Sequence, residues 1–233
     1  MPTYALHVES GPRRKTTMAH VLRLPGAISF ARTTDEAVAE APEAIRAYLR
    51  YLKRHGEKVD PKAEIRTRVA EHVTEGGFIS TMFFTPDLEP VTPAEVARWT
   101  RWLEWSRADL LKLVDGLTPK TLDAKPATGR SIRAILEHVL DADRSYLYSI
   151  VGALKSVGDP TNAALRGDLD LKRALLQERA AAVERLSALS PAELRVVKGK
   201  GSGTQTTRRA FRRMLEHEWE HRREIASRLG REA

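Results

Sequence analysis

Apolar residues recur along this chain with two different periods, and the change of period divides it. Near the N-terminus they come in short mixed runs. Tyr4 to Glu9 and Met18 to Leu24 predict extended segments separated by Ser10-Gly11-Pro12, a cluster that suits a hairpin or a loop between strands. Pro25-Gly26 breaks the chain, and Ile28 to Arg32 alternates apolar with polar residues as a third strand does. Thr34 then caps a helix, with Asp35 and Glu36 in the first turn where carboxylates favour the unpaired amides. Ala37, Ala41, Ala44, Ile45, Tyr48, Leu49 and Leu52 recur at steps of three and four, so one helix face packs on the sheet until His55-Gly56 ends it. After Asp60-Pro61, the residues Ile65, Thr67 and Val69 alternate with Arg66 and Arg68, which predicts a last strand.

The pattern changes after residue 84. Pro86, Pro90 and Pro93 make residues 85–93 a linker between a first domain over 1–84 and a helical one over 94–233. Thr92-Pro93-Ala94-Glu95 combines an N-cap, a proline at the first helical position and a glutamate placed to complete a capping box. The helix it starts runs to about Leu117, and Trp99, Trp102, Leu103, Leu110, Leu113 and Val114 form its core stripe. Ser131 caps a second helix carrying Ile132, Ile135, Leu136, Val139, Leu140, Tyr146 and Leu147 to about Leu154. Gly152, Gly158, Pro160 and Gly167 predict an irregular connection, and Leu169 to Leu189 a third helix. Ser190-Pro191-Ala192-Glu193 repeats the capping pattern for one short turn, and Lys198 to Thr204, rich in glycine, predicts a mobile loop. The last helix spans about Thr207 to Leu229, with Gly230 as its stop.

Composition narrows the chemistry. With 233 residues and 42% apolar positions the chain can build two modest cores. It has no cysteine, so disulfides, thiolate ligands and a cysteine nucleophile are excluded and any metal must be held by nitrogen or oxygen. No stretch approaches the ~18 apolar residues of a membrane span, and the first twenty residues lack the apolar core of a signal peptide, so a cytoplasmic location is expected. The net charge of +8 raises the question of nucleic acid. The excess falls in the second part, and much of it comes from Arg208, Arg209, Arg212, Arg213, Arg222, Arg223, Arg228 and Arg231 on the last helix. Glu216, Glu218, Glu220 and Glu224 interrupt that row, so a solvated, salt-bridged face is expected rather than a phosphate track.

The candidate site lies on the same helix. His217 and His221 are four residues apart, which stacks their imidazoles on one face roughly 6 Å apart and lets them share a metal. A bundle that sets the middle of the second helix beside this face adds His138, giving three neutral nitrogens and an open position. Asp141, one turn beyond His138, is placed to orient a ligand or bound water, and Glu218 and Glu220 either brace the imidazoles or face solvent as partners of the arginines. Arg133, Arg144 and Arg222 are candidates to bind the carboxylates of a small cosubstrate. His7, His20, His55 and His72 have no ligand spacing and read as surface or partly packed residues.

Two resemblances add to this. The order strand, strand, strand, helix, strand, with Leu24-Pro25-Gly26, Ala31-Arg32-Thr33-Thr34-Asp35-Glu36-Ala37 and Glu43-Ala44-Ile45, resembles the HicB-like antitoxin fold over about residues 3 to 75. It implies a compact α/β module that binds a protein partner or pairs with itself, and no catalytic residue. Thr128-Gly129-Arg130-Ser131-Ile132-Arg133-Ala134-Ile135-Leu136-Glu137-His138, continuing through Asp141, Asp143 and Tyr146, together with His217-Glu218-Trp219-Glu220-His221-Arg222, resembles the DinB-like superfamily over roughly residues 95 to 230. That resemblance implies an all-α four-helix bundle with two crossing connections, a metal on His138, His217 and His221, and frequent dimerisation. Several such relatives are thiol-dependent transferases or isomerases using bacillithiol, mycothiol or glutathione. Tryptophan is common in them just before the serine cap, where this chain has Gly129-Arg130.

The expectation is therefore a metal-dependent enzyme of the small-thiol transferase or hydrolase type acting on a small molecule. Zinc or nickel is the expected metal, with iron or manganese as further candidates, and a low-molecular-weight thiol is the expected cosubstrate. The competing expectation is a non-catalytic regulatory protein in which the metal staples the bundle and the first domain recruits a partner. His217-Glu218-Trp219-Glu220-His221 also fits H-E-x-x-H, the zinc protease pattern in which the glutamate is the general base.

Overall fold

The computed structural model describes residues 2–11, 16–74 and 83–232; the Pro12 end of the expected turn lies outside them. The chain forms two compact units. One comprises Met1–Glu89 with Val197–Glu216, the other Pro90–Val196 with His217–Ala233. The segment expected as one domain over 94–233 thus gives residues 197–216 to the first unit.

In that unit the strands β1 (Thr3–Glu9), β2 (Thr17–His20), β3 (Ile28–Ala31) and β4 (Arg66–Val73) form a sheet in the order β3-β2-β1-β4. β1 and β2 are antiparallel, as are β2 and β3, whereas β4 returns parallel to β1 after the helix α1 (Thr34–Arg54). The cap of α1 is Thr33, one residue before the expected Thr34, because its hydroxyl accepts from the Glu36 amide while Glu36 answers on the Thr33 amide. Cross-strand partners share a face, so Val8, Ala19 and Ser29 line one side of the sheet. There the Ser29 hydroxyl donates to the Ala37 carbonyl, and α1 buries Ala37, Ala41, Ile45, Tyr48, Leu49 and Leu52. Gly26 permits the approach of that helix: its φ is +108°, and a Cβ there would lie 2.3 Å from the Tyr48 ring.

The other side carries His7, Glu9, Met18 and His20, all buried. This corrects the expectation for His7 and His20. The Phe84 ring lies tilted against both imidazoles, with centroids 5.5 and 5.3 Å away, and the first half of the last helix, α7 (Thr207–Leu229), supplies Arg212, Arg213 and Glu216. The 85–93 segment is more than a linker: Thr85–Leu88 is a 3₁₀ turn whose Asp87 is fully buried and grips Arg212 through two hydrogen bonds of 3.0 and 2.7 Å. Glu216 accepts from Arg212 at 3.1 Å and Arg213 at 2.9 Å, and lies 3.0 Å from His20 Nδ1, while Glu9 lies 3.4 Å from His20 Nε2. The expected solvated arginine face is therefore wrong at Arg212, Arg213 and Arg222, all buried; opposite charges on each neighbouring element make their burial tolerable.

The second unit is mostly helical. Its elements are α2 (Pro93–Leu113), α3 (Pro119–Asp123), α4 (Ile132–Val151), α5 (Lys155–Leu165), α6 (Leu171–Ser187) and the second half of α7. The caps at Thr92 and Ser131 fall where the sequence predicts them. α2 stops at Leu113, short of Leu117, and α4 stops at Val151, where Gly152 takes a φ of +78°. The irregular connection expected between α4 and α6 contains α5, which accommodates Pro160 within its turns. The residues expected as a mobile loop, Lys198 to Thr204, connect two short paired strands, β5 (Val197–Lys198) and β6 (Gln205–Thr206), and contain the 3₁₀ turn Gly201–Gly203. Leu110, Val114, Ile135, Leu136, Val139, Leu140, Leu175 and Ile225 share one core drawn from α2, α4, α6 and α7.

Candidate metal centre

α4 and α7 bring three imidazoles together. His217 Nε2 lies 3.0 Å from His138 Nε2 and 3.2 Å from His221 Nε2, and each ring meets the others edge-on with centroids 4.5 to 5.2 Å apart. The four-residue step puts His217 and His221 on one stripe of α7, while the apolar face of α4 buries Ile135 and Val139 on either side of His138 and fixes its depth. A tetrahedral ion with metal–nitrogen bonds of 2.0–2.1 Å requires its ligand nitrogens about 3.3 Å apart. The two separations from His217 Nε2 are already close to that spacing, and one ligand atom from each of the three residues lies within 4.8 Å of the others.

Orientation and protonation suit ligation as well. His221 Nδ1 donates to Glu224 Oε2 at 2.9 Å, which leaves Nε2 with its lone pair toward the cluster. Arg228 holds the same carboxylate and also donates to the Arg130 carbonyl. Burial, aided by the charges of Arg130 and His221, lowers the pKa of His138, so its neutral, ligating form is favoured. The Tyr146 ring stands edge-on to His217 at 5.9 Å. His217 and His221 are buried and His138 is half-buried, so the cluster is reached from the side of α4. These residues fit a divalent metal.

The other site candidates are dispersed. Glu218 is fully buried and faces neither solvent nor an imidazole: Arg107 donates to it at 2.9 Å, and Arg179 also binds it. Glu220 is half-buried. Asp141 and Arg144 pair with each other, and Arg144 also donates to Asn162 at 2.7 Å. Both line a groove of about 430 Å³ between α4 and the start of α5, with Tyr148, Leu154 and Val157 along its apolar part. Arg133 is tied to Asp123 on the exposed surface, and Arg222 is buried against Asp109 and the Trp219 ring. Neither is placed as an open anion-binding group.

Sequence reading assigned Glu224 no bracing role, although its position three residues after His221 is the signal for it. It also missed the buried charges below the histidines. There Asp143 accepts from both Arg107 and Arg179, and Glu178 from Arg107. Two guanidiniums meet three carboxylates, and burial, with Glu178 and Glu218 close by, raises the pKa of Asp143.

A mostly helical unit brings three imidazoles from two helices together in a cluster that could hold a metal ion by nitrogen alone. Residues 103–225, more than half of the chain, match the family model of the DinB superfamily, and the chain belongs to that superfamily. Comparison with curated proteins and with solved structures gave no match.

Proposed function

We propose that the helical unit is a DinB-type four-helix bundle that binds one divalent metal through His138, His217 and His221, and that the protein is a metal-dependent enzyme of the small-thiol transferase or hydrolase type. The observation that carries the reading is the convergence of three Nε2 atoms at 3.0 and 3.2 Å on the face of α7 that α4 meets. Membership of a superfamily that often binds metals supports it. A divalent ion held there, zinc or nickel by preference for nitrogen, supplies Lewis acidity that favours the ionised form of a thiol or of water beside it. The chain's own residues do the rest. Glu224 keeps His221 in one tautomer, the burial of His217 and His221 limits water, and the half-exposed His138 leaves an approach for substrate. The groove beside Asp141 and Arg144 is large enough for part of a small organic molecule.

The metalloprotease reading is disfavoured by Glu218. A general base must reach water at the ion, and this carboxylate is engaged by Arg107 and Arg179. For the first unit, the element order β-β-β-α-β supports a HicB-like module that binds a protein partner.

Metal content of the purified protein, measured by mass spectrometry, tests the site. One equivalent is expected for the unaltered chain and almost none for His138→Ala; full retention in that variant rejects the ligand assignment. Activity is tested by incubating metal-loaded protein with bacillithiol, mycothiol or glutathione and a reactive electrophile. Metal-dependent consumption of one thiol supports the transferase, whereas silence with all three leaves the hydrolase or a stapling role for the metal.

A further inference from the structure

Arg107 sits at the centre of the helical unit on α2, 1% exposed, and every N–H of its guanidinium is engaged. Nε donates to Glu218 Oε1 at 2.9 Å, Nη1 to the Leu175 carbonyl at 2.7 Å and Glu178 Oε2 at 3.1 Å, and Nη2 to Asp143 Oδ2 at 2.8 Å and Glu218 Oε2 at 3.4 Å. One side chain therefore links α2 to α4, α6 and α7. Arg179 of α6 bridges the same two carboxylates, Asp143 and Glu218, from the other side.

Stability is a poor explanation for such a group. Buried ion clusters commonly contribute no more than apolar residues of the same volume, because desolvation offsets their attraction. A planar fork with five donors contributes something that leucines do not, namely direction. Apolar stripes on neighbouring helices tolerate small slides along the axis, and a shift by one residue displaces a helix 1.5 Å. Three nitrogens can share an ion only within about 0.5 Å of their proper places. Glu218 is the residue after His217, and Asp143 lies on the same helix as His138, so the acceptors of the fork belong to the two helices that carry the imidazoles.

We infer that Arg107 is the positioning residue of the metal centre: its guanidinium sets the axial register of α7 against α4, so that His217 and His221 meet His138. The inference rests on the metal reading above. It does not make Arg107 a ligand or a catalytic residue.

Cobalt(II) is the probe, since its visible absorption reports the geometry of its ligands as well as binding. Arg107→Met keeps length and apolar volume, and Arg107→Lys keeps the charge without the fork. The Met variant is expected to retain helical circular dichroism, to bind Co²⁺ about 10-fold or more weakly, and to give an altered absorption envelope; the Lys variant should fall between it and the unaltered protein. A folded Met variant with unchanged Co²⁺ affinity and spectrum overturns the inference and leaves the metal reading intact. If the Met variant does not fold, Glu218→Gln, which keeps the shape of the acceptor, decides the question by the same two readouts. An unaltered protein that binds no Co²⁺ overturns the metal reading and this inference together.

Discussion

Glu224 Oε2 accepts the Nδ1 proton of His221 at 2.9 Å, one helical turn further along α7. A carboxylate in this position fixes the ring's tautomer and raises the basicity of Nε2, and losing such a partner typically weakens metal binding 10- to 100-fold. Glu224→Ala should therefore weaken Zn²⁺ affinity about 10-fold, read by competition with a chromophoric chelator. An unchanged affinity would mean that the carboxylate merely serves Arg228.

Removing the metal should cost the helical unit stability. At a free metal concentration 100 times Kd, binding adds about 2.7 kcal/mol, which for a domain of this size corresponds to roughly 5–10 °C in Tm. Calorimetry with and without a strong chelator measures the difference. His138→Ala should abolish the difference, and a chelator effect of the same size in that variant would place the metal elsewhere.

Asp87 and Arg212 form a two-bond ion pair with both side chains almost wholly buried. Asp87→Ala leaves a desolvated guanidinium short of its partner, and breaking a buried pair in this way costs about 3–5 kcal/mol. Urea unfolding followed by circular dichroism should show that loss. A change below about 1 kcal/mol, the scale of exposed pairs, would show that water reaches Arg212.

Two buried histidines oppose each other in pH. Burial alone would lower the pKa of His20, but Glu216 and Glu9 raise it above the ordinary value. Its stabilising contribution is complete below about pH 6.5, the unfolded value, and is lost as pH rises through the raised folded value. His7 is lowered to about 4, chiefly by burial and then by Arg212. Between about pH 6.5 and its folded value the unfolded chain binds the extra proton, so stability falls with acid. Denaturation midpoints should decline on both sides of neutrality, with His7→Phe flattening the acid limb and His20→Gln the alkaline one. An alkaline limb that survives in His20→Gln removes His20 as its source.

Gly26→Ala forces a methyl against the Tyr48 ring at a φ that favours glycine. Strain and overpacking together should cost about 2 kcal/mol or more. The paired variant Gly26→Ala/Tyr48→Phe would recover little, because the clash involves ring carbons as well as the hydroxyl. Thermal unfolding of the two variants checks both statements.

Local signals carried much of the architecture. Proline at the first turn with a Thr or Ser cap located α2 and the short turn at Ser190, and the apolar period with Gly230 bounded α7, because these features act within a few residues. α5 escaped because Gly158 and Pro160 weaken any helical reading, and packing of Val157 and Ala164 overrides them. The buried charges were illegible for a different reason. Nothing local distinguishes Arg212 or Arg222 from a solvated neighbour such as Arg223; partners far along the sequence make the difference, 125 positions away for Asp87 and 113 for Asp109. The histidine cluster was legible in part: the four-residue step was visible within α7, whereas the meeting with His138 depended on how helices pack, and the bracing by Glu224 on a side-chain rotamer.

His20 and Glu216 are 196 positions apart, yet they share a hydrogen bond inside the first unit. On the ribosome the sheet and α1 emerge before α7, with Glu9, His7 and His20 on a face that Phe84 covers only in part until the beginning of α7 is synthesised. The N-terminal unit therefore cannot mature in the order in which it is made, and a chain cut at residue 90 would strand it half-built. Closing so long a loop is slow, so a late folding phase should follow synthesis of the beginning of α7.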